Sequence, residues 1–136
     1  MDFLKSLSIA ASGLRAQTGR MRVIAENIAN ADSTARSSDG DPYRRRIPTF
    51  DSEFSRELNA NLVAMGKVAE DKSAFKLKYQ PGHPAADKNG YIRMPNVNPL
   101  IETVDLQEAQ RSYQANLNVI RATRKMLQKT IDILRV

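Results

Sequence analysis

Both ends of the chain repeat every seven residues, and this periodicity limits the fold more than any other feature. Counting by sevens from Leu7 gives Leu14, Met21 and Ile28, and the companion positions are Phe3, Ala10, Gln17, Ile24 and Ala31. Only Gln17 is polar among these, so an a/d pattern runs through the first 31 residues. The last part of the chain behaves in the same way. Asn98 is placed to cap a helix that Pro99 begins, and Leu106, Tyr113, Ile120, Leu127 and Leu134 then follow at intervals of seven. Leu117 and Ile131 widen that stripe on one side, and Val119, Met126 and Ile133 on the other. Acidic Glu102, Asp105 and Glu108 lie early and Arg121, Arg124, Lys125 and Lys129 late, as the helix dipole favours. The expected fold is mainly α: long N- and C-terminal helices over 1–31 and 99–136, packing as an antiparallel coiled-coil hairpin or bundle.

The segment between them, 32–98, is expected to be small, irregular or β-containing. DSTARSSDGDP (32–42) reads as an exposed loop, YRRRIPTF (43–50) as extended chain, and DSEFSRELNANLVAM (51–65) allows a short helix. AFKLKYQ (74–80) alternates as a strand does, and the proline-rich stretch 81–99 leaves room for one short strand around Tyr91–Met94.

A simple helical hairpin does not account for everything. The C-terminal stripe is wider than one partner helix covers, which would leave apolar surface exposed. Gly13 and Gly19 each cost roughly 1 kcal/mol inside a helix relative to alanine, so the first helix needs neighbours to order fully. Small residues, among them Ala10, Ala11, Ala16, Ala25 and Ala29, permit close approach on several sides. These features favour assembly between chains. AENIANADST (25–34) then has two readings: Asn30 ends the helix, and Asn27, one residue from the stripe, can bond to a neighbouring chain.

Chemistry is largely excluded. The chain has no cysteine, which removes disulfides, thiol catalysis and zinc–thiolate sites, and a single histidine, His83, sits between prolines as a turn residue. GxSxG and phosphate-loop motifs are absent, and Asp39-Gly40-Asp41 lacks the remaining ligands of a calcium loop. No catalytic residue, metal, cofactor or small-molecule substrate is expected. The formal charge of +6 would suit nucleic acid, but residues 1–30, 31–101 and 102–136 each net +2, so no part is a basic arm. Arg44-Arg45-Arg46 beside Tyr43 is the one dense basic cluster; alternate arginines of an extended segment would point to solvent while Tyr43 packs. A basic helical nucleic-acid-binding or adaptor protein is the alternative reading. MDFLKSLSIAASGL makes a poor signal peptide, so export through a cleaved leader is not expected.

SGLRAQTGRMRVIAENIANADST (12–34), PYRRR (42–46), YQPGHPAADKNGYIRMPNVNP (79–99) and TVDLQEAQRSYQANLNVIRATRKMLQKTIDIL (103–134) resemble the flagellar basal-body rod proteins. The similarity covers nearly the whole chain apart from residues 55–72. The long loop before Tyr43 fits the proximal-rod group and departs from the distal-rod and hook members.

The resemblance implies a structural subunit of the bacterial flagellar basal-body proximal rod. It would be exported by the flagellar type III apparatus without cleavage and polymerise helically in the periplasm, forming the drive shaft that carries torque to the hook. The implied partners are copies of itself and other rod proteins, the basal rod adaptor, and the membrane ring and export gate. The terminal helices, largely unfolded in the monomer, would pack around the channel. On this basis Leu7, Leu14, Met21, Ile24 and Ile28 form one subunit-interface stripe and Leu106, Tyr113, Ile120, Leu127 and Leu134 the other. Asn27, Asn30, Arg111 and Asn116 fix register between subunits, and Phe3 and Leu4 are candidates for an export signal. Ile120→Asp is then expected to block assembly and leave the monomer soluble.

Overall fold

The computed structural model describes residues 2–135. Helix α1 spans Phe3–Ala29 and helix α2 spans Pro99–Leu134. Three two-stranded antiparallel sheets lie between them: β1 (Arg46–Ile47) with β4 (Ala69–Glu70), β2 (Phe50–Ser55) with β3 (Ala60–Met65), and β5 (Lys76–Tyr79) with β6 (Tyr91–Met94).

The helix ends follow from local chemistry. Asp2 Oδ1 accepts the Lys5 amide at 3.1 Å, capping α1. At the other end Asn30 Nδ2 donates to Glu26 O and Ser33 Oγ donates to Asn30 O, so Asn30 terminates the helix as its type suggests. Asn98 Oδ1 accepts the Leu100 amide and Pro99 takes the first helical position of α2.

The strands expected within 74–80 and at Tyr91–Met94 are β5 and β6. The short helix allowed for 51–65 is instead the β2–β3 hairpin, with six paired positions from Phe50↔Met65 to Ser55↔Ala60. Its turn places Asn59 at φ 46°, a left-handed conformation that asparagine tolerates. Local helix propensity is overridden by contacts with α1. Ser12 Oγ accepts the Val63 amide at 3.2 Å, and Lys5 Nζ donates to Asn59 O at 2.7 Å.

The chain falls into two compact units. Residues 1–21, 48–67 and 107–136 form one, in which the hairpin and the two helix segments pack together. The helix segments there run in opposite directions, with Gly13 against Asn116 and Arg20 beside Glu108. A Cβ on Gly13 would stand 2.8 Å from Asn116 Nδ2, and one on Gly19 would meet the Met65 sulfur. The two glycines that weaken α1 as a lone helix are thus the places where a second helix and a hairpin approach it.

Residues 22–47 and 68–106 form the other unit. Its apolar core is made by Val23, Ile24, Ala31, Ala85, Ile92 and Val97, and at its centre lie two polar side chains, Asn27 and Glu102, both essentially without solvent exposure.

Candidate assembly surfaces

Burying an amide and a carboxylate is costly unless each polar atom finds a partner. Asn27 does so completely. Its Nδ2 donates to Arg46 O at 2.8 Å and to Glu102 Oε2 at 3.0 Å, and its Oδ1 accepts from the Arg46 amide and from Tyr43 Oη, both at 2.9 Å. Glu102 Oε1 in turn accepts from Arg45 Nε at 2.6 Å. Arg45 also faces Asp71 at 3.7 Å and Asp105 at 3.8 Å, and its own amide donates to Asn96 Oδ1. Asn96 Nδ2 reaches Asp71 O and Ser73 Oγ. One asparagine, one arginine and one glutamate therefore tie the end of α1, the 43–47 segment and the start of α2 into one polar clamp.

The clamp shifts its titratable groups. Burial pushes the Tyr43 phenol up, opposed in part by nearby Arg46 and reinforced by Glu26 and Glu102. For Arg45, burial acts downward, but the Glu102 hydrogen bond and the charges of Glu102, Asp71 and Asp105 outweigh it and hold the guanidinium above its ordinary value. Hydrogen bonds from the Ser73 backbone and side chain, helped by Arg45, hold the Asp71 carboxyl low.

Of the three arginines only Arg46 is exposed, and each is engaged by groups of its own chain. Arg44 lies over the Phe75 ring at 4.3 Å, Arg45 sits among three carboxylates, and Arg46 pairs with Glu26 at 3.1 Å. His83 is a turn residue: its Nδ1 accepts the Ala85 amide, and its Nε2 lies 3.4 Å from Thr34 Oγ1.

The residues read from the sequence as interface positions, and the export-signal candidates Phe3 and Leu4, fall into several environments. Ile24 and Asn27 are buried within their own chain. Phe3, Leu7, Leu14, Met21 and Ile28 on α1, Asn30 just beyond its end, and Leu106, Tyr113, Asn116 and Ile120 on α2 are half-buried. Leu4, Arg111, Leu127 and Leu134 are exposed, Leu4 at 72% and Leu134 at 79%. Asn27, expected to bond a neighbouring chain, has all its side-chain bonds inside its own.

Sequence reasoning missed Glu102, Tyr43 and Arg45 as a constellation. A signal existed. The buried positions of α2 are Glu102, Ala109 and Thr123, with half-buried Asn116 completing the steps of seven. The inward register of α2 is small and polar, and much of its large apolar surface is left over. Over the last turns Met126, Leu127, Ile131, Ile133 and Leu134 are all exposed.

A helix-terminated chain with a polar clamp at one end of α2 and uncovered apolar surface at the other is what these features define. The family described as "Flagella basal body rod protein" matches residues 7–36, and "Flagellar basal body rod FlgEFG protein C-terminal" matches residues 88–133. Flagellar basal-body rod protein FlgC of Agrobacterium fabrum is 50% identical, over 99% of this chain and 98% of the relative. The proteins of that name from Salmonella typhimurium and Bacillus subtilis are 41% and 40% identical, each over 98% of this chain. The chain belongs to the FlgC family of flagellar basal-body rod proteins. It is a structural, non-enzymatic subunit of the basal-body rod, assembling with other rod and basal-body proteins in bacterial motility. Nothing favours the nucleic-acid reading, and the dense basic cluster is engaged by groups of its own chain.

Proposed function

We propose that the chain is a proximal-rod subunit whose terminal segments, 1–31 and 99–136, form the rod wall while 32–98 braces them. The two helices pair as an antiparallel coiled-coil hairpin and present their remaining apolar surface to neighbouring subunits. The observation that carries this reading is the uncovered end of α2, where Leu127, Ile131, Ile133 and Leu134 are 38%, 44%, 74% and 79% exposed in a chain of rod lineage. Burying each large apolar side chain contributes roughly 1.5–3 kcal/mol, enough for a few of them to drive polymerisation.

Leu127, Leu134 and Arg111 on α2, with Asn30 and the half-buried stripe Leu7, Leu14, Met21 and Ile28 on α1, are the subunit-interface residues of this account. Leu106, Tyr113, Asn116 and Ile120 serve both the internal pairing and the neighbours. Ile24 and Asn27, buried in their own chain, act on the interface by holding the spacing of the elements that carry it. Phe3 and Leu4 at the start of α1 are export-signal candidates. Export through the flagellar type III apparatus, helical growth across the periplasm and torque transmission to the hook complete the reading. The basal adaptor, the membrane ring and the export gate are the partners at the rod's base. Among the described residues, no helix is long and apolar enough to cross a membrane.

Leu134→Asp tests the proposal. It places a charge on a side chain that is 79% exposed in the subunit, so the soluble chain should fold normally and fail to enter rods. Rods containing the variant in normal amounts would refute the interface.

A further inference from the structure

A second unpaired surface lies in the same unit as the end of α2. Between α1 and the β2–β3 hairpin runs an open groove of about 310 Å³. Ala16, Leu62, Ala64 and Met65 give it an apolar floor, with Glu53 on the hairpin rim and Arg15 on the helix rim. Asp51 and Glu53 point to the same face of β2, because strand side chains alternate. Neither makes an ion pair among the described residues.

The end of α2 has the opposite character. Beyond Ile120 it carries Arg121, Arg124, Lys125 and Lys129 against one acidic side chain, Asp132, and Arg135 follows directly after it. None of these five cations has an ion-pair partner among the described residues. Lys129 and Ile133 are one helical turn apart on the same side, so a cation borders the apolar tip.

We propose that the groove receives the last turns of α2 from a second copy of this chain, with Ile133 on the apolar floor and Lys129 facing Glu53 and Asp51. The proposal rests on the rod-subunit reading and adds to it a contact through the hairpin, separate from the helix stripes. Charge complementarity selects the occupant: an acidic hairpin rim beside apolar surface meets a basic helix end beside apolar surface. The contact is head-to-tail, one face of a copy meeting a different face of the next. Such a contact extends into an open helix when the rotation does not close.

The absence of cysteine makes the test direct. Leu62→Cys, which lines the groove directly across the hairpin from Glu53, and Ile133→Cys are introduced into separate copies and expressed together in cells that build basal bodies. After oxidation of isolated basal bodies, a disulfide dimer with one copy of each variant is expected. Asp51→Lys combined with Glu53→Lys should lower its yield about tenfold, and adding Lys129→Glu to the partner copy should restore it. Rods that contain both variants but give no mixed dimer overturn the groove contact and leave the rod reading standing. Dimers only between like variants overturn the head-to-tail arrangement. Absence of both variants from basal bodies, with wild-type chain also absent, overturns both.

Discussion

The two ends of α2 handle side chains of opposite character in opposite ways. Near its start a carboxylate, Glu102, lies fully buried with every neighbouring polar group partnered inside the chain. Near its finish, Leu134 and Ile133 stand about three-quarters exposed, with no partner in the subunit. A chain that had only to fold by itself would gain from the reverse arrangement. Polar pairing is directional and fixes which residue meets which within a subunit, whereas apolar surface is indifferent to its partner and suits the contact between subunits proposed above. The start of α2 therefore answers to folding, and on the proposed reading its finish answers to assembly.

Mutations separate the two roles. The largest effect on folding is expected for Asn27→Asp, which keeps the shape but replaces an NH2 donor with an oxygen facing Glu102 Oε2 and Arg46 O. A loss of about 3–5 kcal/mol follows from breaking a buried pairing of this kind, read as a fall in the urea midpoint. Arg45→Ala leaves Glu102 buried without its cation and should cost about 2–3 kcal/mol by the same measurement.

Alkaline pH should act on the same unit more gently. The Tyr43 phenol donates to Asn27 Oδ1 and is held above the ordinary tyrosine value, so its contribution is complete below about pH 10 and is lost as pH rises through the raised value. Tyr43→Phe should lower stability at neutral pH and flatten this alkaline loss. Asp71 runs the other way: its depressed carboxyl contributes above its ordinary value near 4, and that contribution disappears as pH falls through the lower folded one.

The smallest stability effect belongs to the assembly end. Leu134→Asp should change the unfolding free energy in urea by no more than about 0.5 kcal/mol, since the side chain is already exposed, yet exclude the chain from rods. Leu134 separates the roles better than Ile120, which is half-buried within the subunit.

How much of this was legible follows the range of the interactions. Helix α1, helix α2, the Asn98-Pro99 start and the Asn30 end could be read because caps and heptads are local. β5 and β6 could be read from alternation and prolines. The β2–β3 hairpin could not, because Glu57, Leu58 and Met65 sit comfortably in a helix and the deciding contacts, Ser12 with Val63 and Gly19 with Met65, span 51 and 46 residues. The clamp was hidden for a related reason: Asn27 reaches across 75 residues to Glu102. Glu102, Asn116 and Thr123 stood in the sequence at steps of seven, but following only large apolar residues passes over a register whose buried members are small or polar.

On the proposed reading, one end of α2 is committed within the subunit and the other between subunits. Hydrogen exchange of the dilute soluble chain, compared with the same chain in isolated rods, distinguishes the two ends. Slow exchange is expected at residues 24–28 and 100–106 in both states, and fast exchange at residues 124–134 that slows by at least about tenfold in the rod. Equal protection of residues 124–134 in the dilute chain and in the rod would contradict that reading.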